Sequence, residues 1–238
     1  FKIQANMSPN HRDRIAFLRI CAGRFYRGME VKHVRTGRSL TLSRPMQFMA
    51  QERTIVEEAF SGDIIGLWDP GVLRIGDTLC EGPPLEFGTI PRFSPEHFVQ
   101  VRTTDALKRK QLKKGLSQLS EEGVVQLFSD WRQMDRDPIL GAIGALQFEV
   151  MQYRLKSEYG VVVDFVPLPY KHARWIEGEG IDPNRFEEPG RSACVVDVEG
   201  RLLALFGNDW IMKHAESQNP KLRFIAAVQP GRSARAQG

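Results

Sequence analysis

Two adjacent carboxylate pairs, Glu57-Glu58 and Glu121-Glu122, have the residue types of a general acid/base couple. Neighbouring side chains diverge in direction, most clearly at a helix end, so capping or solvated charge is expected of both pairs. Cys21, Cys80 and Cys194 are far apart and set among apolar residues, which predicts buried free thiols in a reducing compartment. His11, His33, His97, His172 and His214 are equally scattered and make no metal-ligand spacing. Gly-Ala-Ile-Gly at 141–144 has the look of a glycine-rich phosphate loop, with backbone amides free for an anion. It lacks the Lys and Ser/Thr that make such a loop specific, and close backbone packing is the expected reason for its glycines. Triphosphate-binding loops, hydrolase elbows, Cys-x-x-Cys pairs and His-Glu-x-x-His helices are missing from the sequence. No catalytic residue, no metal ligand and no cofactor-binding residue is assigned.

The remaining chemistry is charge. Net charge is +4 and the pI about 9.1, which tilts weakly toward an anionic partner. From Lys2 to Arg53, eleven Lys/Arg face only Asp13, Glu30 and Glu52; from Thr54 to Arg92, two basic residues face seven acidic ones. Arg12, Arg14, Arg24, Arg27, Lys32, Arg35 and Arg38 are therefore candidates for backbone phosphates, with an ordinary solvated surface as the alternative. Lys108, Arg109, Lys110, Lys113 and Lys114 form a second basic run, open to the same two readings.

The elements that must carry these residues fall into two parts. In the first, Phe1, Ile3, Ala5 and Met7 alternate with polar residues as in a half-buried strand, which Pro9 breaks. A β-rich run follows, with turns or bulges at Gly23 and Gly28. Residues 32–43 predict a hairpin turning at Gly37, with Leu40 and Leu42 on one face. Further short strands are expected around 54–57, 63–68 and 72–79. Many short strands with glycine-rich turns predict an antiparallel β-barrel over residues 1–90.

Pro83, Pro84, Pro91 and Pro95 fall within residues 82–95, limit regular pairing and mark the boundary. Beyond it, 97–103 predicts a strand and Asp105 caps a helix that runs to about Glu121. Leu112, Leu116 and Leu119 form its buried stripe and Gly123 its stop. Strands at 124–128 and 139–144 precede a helix from Leu146 to Tyr159, ended by Gly160. Phe148, Met151 and Leu155 lie on one stripe and Leu146, Val150 and Tyr153 on another read as its neighbour, a breadth that predicts packing against a sheet. A strand at 161–166 completes strand–helix–strand–strand–helix–strand, the split βαβ or ferredoxin-like unit. An α/β extension follows: strands at 173–177, 193–198, 202–206 and 222–228, a hairpin at Glu199-Gly200 and a helix at 208–217 capped by Asn208. The terminal GRSARAQG has no large apolar residue and is expected to be disordered. The fold class is all-β plus α+β, with domains at 1–90 and 91–238. No run approaches the eighteen or so apolar residues of a membrane helix, so no membrane partner is expected.

Taken together, FKIQANM…HRDRIAFLRICAGRF…RGM and SGDIIGLWDPGVLRIGDTL resemble the second, β-barrel domain of translational GTPases. TIPRFSPE, QLSEEGVVQLF, ILGAIGALQFEVMQYRLKSEYGV, Ala173-Arg174-Trp175 and Arg185-Phe186-Glu187 resemble the class II peptide chain release factors of bacteria. That resemblance implies cytoplasmic ribosome-docking domains: a barrel on small-subunit ribosomal RNA and an α/β domain toward ribosomal protein and, indirectly, the class I release factor. It further implies that GTP or GDP and magnesium belong to an N-terminal GTPase domain preceding Phe1, and that this stretch is no enzyme by itself. The same motifs leave room for an elongation-factor-G-like or ribosome-protection GTPase. The elements also admit a free-standing ferredoxin-like interaction module, or an enzyme with a composite site between the domains.

Overall fold

The computed structural model describes residues 1–5, 14–43, 45–49, 52–85, 87, 90, 92–103, 105–133 and 137–228. Arg12, the ends of the first strand at Met7 and Pro9, Pro91 and the terminal GRSARAQG lie outside the described residues. The chain divides into two compact units, Phe1–Ile90 and Pro91–Gly238.

The first unit carries β1 (Lys2–Ala5), β2 (Arg14–Arg19), β3 (Arg24–Tyr26), β4 (Glu30–His33), β5 (Arg38–Thr41), β6 (Pro45–Met49), β7 (Glu52–Ile55), β8 (Glu58–Phe60), β9 (Ile64–Trp68) and β10 (Leu79–Cys80). They form three antiparallel sheets, ordered β1-β2-β9-β6-β7, β10-β4-β5 and β3-β8. Phe25, Met29, Val31, Leu42, Val56, Ala59, Ile65 and Leu67 come from all three sheets and their connections into one core, which makes the unit a barrel. The hairpin of β4 and β5 forms as the sequence predicts, with Gly37 at φ 69° in its turn.

Residues 72–79 are not the expected strand; only Leu79 and Cys80 pair, against β4. Carboxylates supply the reason. Asp69 Oδ1 accepts the amides of Gly71, Val72 and Leu73 at 3.1, 2.9 and 3.2 Å, and Asp77 Oδ2 accepts that of Arg74 at 2.8 Å. Backbone donors that a ladder would use are satisfied locally, so the segment turns instead of extending.

The second unit carries β11 (Arg92–Phe93), β12 (His97–Thr103), α1 (Arg109–Glu121), β13 (Gln126–Asp130), β14 (Ile139–Ala142), α2 (Leu146–Tyr159), β15 (Val163–Pro167), β16 (His172–Glu177), β17 (Ser192–Asp197), β18 (Leu202–Phe206), α3 (Asp209–Gln218), β19 (Arg223–Ile225) and β20 (Ala227–Val228). One sheet runs β15-β12-β14-β13-β17-β18-β16-β19. Its first four strands are the ferredoxin-like order. The extension joins that same sheet, because β17 pairs with the outer edge of β13 in the register Phe128↔Asp197 to Asp130↔Val195. The last segment splits: β19 pairs with β16, and β20 pairs with β11 in the proline-rich stretch.

Leu112, Leu116 and Leu119 of α1 and Phe148, Met151 and Leu155 of α2 close over β12, β14 and β15 as one core. Gly123 and Gly160 end the helices at φ 82° and 65°, and Asn208 Oδ1 caps α3 by accepting from Ile211. The second apolar stripe of α2 corrects the sequence reading. Leu146, Val150 and Tyr153 are 68, 44 and 72% exposed. At about 100° per residue their mean direction lies about 170° from that of Phe148, Met151 and Leu155. The two stripes are opposite faces, and one sheet covers one of them.

Candidate functional site

The groups with catalytic residue types are held in structural pairs. Glu57 Oε1 receives Arg27 Nη1 at 2.9 Å, and Glu58 pairs with Arg24 across the β3–β8 ladder. Glu122 is not the solvated charge expected: its side chain is only 5% exposed, and it accepts from Arg154 Nη1 and Nη2 at 2.5 and 3.2 Å. Arg154 also donates Nε and Nη2 to Glu158 at 2.5 and 3.1 Å. Burial works against the Arg154 charge, but the two carboxylates outweigh it and raise its pKa. The group is a clasp between the end of α1 and the middle of α2.

The glycine loop at 141–144 is closed to anions by its own neighbour. Ile143 and Gly144 each donate their amide to Gln147 Oε1 at 2.9 Å, and Gln147 Nε2 donates to the Val124 carbonyl at 2.7 Å. One side chain thus takes the free donors at the start of α2 and ties them to the connection between α1 and β13. At Gly141 a Cβ would fall 2.5 Å from Pro95 Cγ and 2.7 Å from Phe128 Cε2, so close packing explains that glycine. Nothing crowds Gly144.

His33 is fully buried, with Nε2 2.8 Å from Asp77 Oδ2 and Nδ1 2.9 Å from Thr36 Oγ1. Burial pushes the Asp77 carboxyl up, but Arg35, the Arg74 amide and His33 together hold it below its usual value. Of the three cysteines, Cys194 is buried, Cys80 half-buried and Cys21 exposed, so the expectation of buried thiols holds at one position only. Burial, then Glu187, pushes the Cys194 thiol up to about 12. Among the described residues, no group of three or more His, Cys, Asp or Glu is placed to hold a metal ion. No helix of the described residues is long and apolar enough to cross a membrane.

The candidate phosphate contacts separate into distinct sets. Arg14 Nε lies 2.9 Å from buried Asp69 Oδ2, and its Nη2 donates to the Leu73 carbonyl at 2.7 Å. Arg35 donates Nε and Nη2 to Asp77 at 2.6 and 2.8 Å. With Arg24 and Arg27 already placed on Glu58 and Glu57, four of the seven barrel candidates are matched to acids of the 54–92 segment. The two oppositely charged segments neutralise each other across the strands, which a count along the chain does not see. Lys32 and Arg38 are exposed, and among the described residues neither is recorded with a carboxylate partner. In the turn just before α1, Lys108 Nζ donates to the Gly160 carbonyl at 2.5 Å, a cation on the C-terminal end of α2. Arg109, Lys110, Lys113 and Lys114 are exposed and face solvent.

Two polar centres escaped the sequence reading. Asp197 is buried in the β17–β18 hairpin; its Oδ1 accepts the Glu199 and Arg201 amides at 2.9 and 3.0 Å, and its Oδ2 accepts Trp175 Nε1 and Arg201 Nε at 3.0 and 2.8 Å. Aspartate two residues before Glu-Gly was the available sign, a turn-forming carboxylate. Trp131 Nε1 donates to Glu187 Oε1 at 2.6 Å, Arg132 pairs with the same carboxylate, and its guanidinium lies 4.8 Å over the Trp131 ring. Nothing local in either segment signals that partnership.

Comparison with known proteins follows the same division. Residues 87–216 match the family model described as class II release factor RF3, C-terminal domain, and residues 1–82 match elongation factor G domain 2. A curated relative from Symbiobacterium thermophilum, named peptide chain release factor 3, is 58% identical over 96% of this chain and 43% of its own length. Relatives of the same name from Microcystis aeruginosa and Synechococcus elongatus are 47 and 48% identical over 97% of the chain. The chain spans less than half the length of these relatives, 42 to 43%. A crystal structure from Thermus thermophilus shares the fold at TM-score 0.58 and 23% identity, over 75% of this chain and 28% of that one.

Proposed function

Because the chain belongs to the class II release factor family, we propose that its two units are the docking half of a translation termination factor. In this reading they seat the protein on the ribosome in the cytoplasm, the barrel toward small-subunit RNA and the second unit toward ribosomal protein. The power stroke comes from GTP hydrolysis, with magnesium, on a nucleotide-binding domain contributed by sequence outside these 238 residues. The result is departure of the class I release factor after the peptide has been freed. The carrying observation is the match to a release factor 3 relative over 96% of the chain, which takes in both units. Two features of the site support a docking rather than a reacting role: acids and His33 are engaged in structural pairs, and Gln147 occupies the loop amides. The barrel by itself fits an elongation-factor-G-like protein equally well. The second unit, with its release-factor match at 87–216, favours the termination reading.

A chimera tests it. The matching segment of the Symbiobacterium thermophilum relative is replaced by this chain, and GTP-dependent release of a class I factor from post-termination ribosomes is followed. The chimera is expected to retain the acceleration. A chimera that folds and binds guanine nucleotide yet leaves the class I factor in place overturns the proposal. Guanine nucleotide titrated into the 238-residue chain alone is expected to give no binding.

A further inference from the structure

We propose that the N-terminal half of α1 is an RNA-backbone docking face, made by Arg109, Lys110, Lys113 and Lys114. At about 100° per residue these four side chains fan over one side of the helix, away from buried Leu112, Gly115, Leu116 and Leu119. They span about 7.5 Å of helix axis at 1.5 Å per residue. Lys108 is not among them, because it is spent on the Gly160 carbonyl.

The arrangement is wrong for the helix itself. Its first turn carries no acidic residue and Lys108 makes no side-chain capping bond; the cap, Asp105, sits one turn earlier, at the head of a short 3-10 turn over Ala106–Lys108, and accepts from the Leu107 amide at 2.9 Å. Cations therefore crowd the positive end of the helix dipole. Arg109 with Lys113, and Lys110 with Lys114, are like-charged pairs at i and i+4, which repel. Among the described residues none of the four is recorded with a carboxylate partner. This contrasts with the barrel, where acids lie opposite Arg14, Arg24, Arg27 and Arg35. Four uncompensated cations that weaken their own helix are complementary to an anion from outside the fold. Their density suits a polyphosphate backbone rather than a single ion, and backbone phosphates are the same whatever the base sequence. Leu107, 89% exposed in the turn just before α1, adds an apolar projection beside them, suited to contact with ribose.

The inference rests on the release-factor reading only for which RNA is met; the test needs neither ribosome nor nucleotide hydrolysis, so the two can fail separately. Binding of the 238-residue chain to a short RNA hairpin is measured against salt. Parallel titrations use polyglutamate. In the variant Arg109→Gln, Lys110→Gln, Lys113→Gln, Lys114→Gln, the slope of log affinity against log salt is expected to shrink by about 3, at roughly 0.7–0.9 per lost phosphate contact. Its melting temperature is expected to hold or rise, since repulsion has been removed. A control with the same change in net charge, Lys156→Gln, Lys171→Gln, Lys213→Gln, Lys221→Gln, is expected to keep most of the parent slope. An unchanged slope in the first variant, an equal loss in the control, or tighter binding of polyglutamate than of RNA each overturns the proposal.

Discussion

Replacing Gln147 by Met keeps the length and the apolar stem of the side chain but removes all three of its hydrogen bonds. Two are to the amides of Ile143 and Gly144 and one to the Val124 carbonyl. A neutral hydrogen bond contributes about 0.5–1.5 kcal/mol net. The Ile143 amide is exposed and can turn to water, so its share is at the low end; Gly144 and Val124 are part-buried and lie nearer the middle. The expected loss is about 2–3 kcal/mol. For a unit of about 150 residues this is a fall in melting temperature of roughly 5–10 °C. Gln147→Glu keeps the acceptor for both amides and places negative charge at the start of α2, but sets its second carboxylate oxygen against the Val124 carbonyl, so it should recover only part of the deficit. Thermal melting by circular dichroism gives the magnitude, and hydrogen exchange at the Ile143 and Gly144 amides gives the location. If Gln147→Met melts within about 2 °C of the parent, or if those amides exchange no faster, the clamp is not what orders this junction.

Three further outcomes follow from other pairs. Arg154→Met takes the guanidinium away from Glu122, whose side chain is 5% exposed, and should cost about 3 kcal/mol in urea unfolding; adding Glu122→Gln should restore much of it, and strict additivity of the two changes would refute the clasp. Asp77 is more acidic in the fold than its usual 3.8, because Arg35, the Arg74 amide and His33 outweigh the burial that would raise it. Its contribution is therefore present in full above that usual value and lost as pH falls through the lowered folded value, so Asp77→Asn should flatten the acid side of the barrel's stability profile; an unaltered acid slope contradicts this. At mildly alkaline pH, iodoacetamide should label exposed Cys21 well before Cys194, whose buried thiol is pushed up to about 12, and equal labelling by mass spectrometry in the folded state would contradict the burial.

Where sequence and structure agree, the signal was local. Leu112, Leu116 and Leu119 recur at helical spacing and are buried; Asp105, Gly123, Gly160 and Asn208 stand at chain positions where the backbone needs a cap or a left-handed residue. Where they part, the cause is a partner distant in sequence. Residues 72–79 look strand-like in composition, yet Asp69 and Asp77 capture the amides a strand would pair. The breadth of apolar surface on α2 is visible in the sequence, but nothing there says that a sheet covers only the Phe148 side. The barrel cations are countable, whereas their pairing with Glu57, Glu58, Asp69 and Asp77 depends on which strands become neighbours. Likewise β17 joins β13 rather than starting a second sheet, a choice made by an open edge that no residue in either segment announces.

That shared edge has a mechanical consequence. Eight strands hydrogen-bonded in one sheet make seven ladders in series, and at about 4.8 Å between strands the sheet is roughly 34 Å across. A force applied at β19 reaches β15 through those seven ladders, with no break between separate sheets along the way. Had the extension formed its own sheet, the junction beyond β13 would have been the soft point. As built, the hydrogen-bonded ladder runs on across that junction, and α1 and α2 pack over the end formed by β15, β12 and β14.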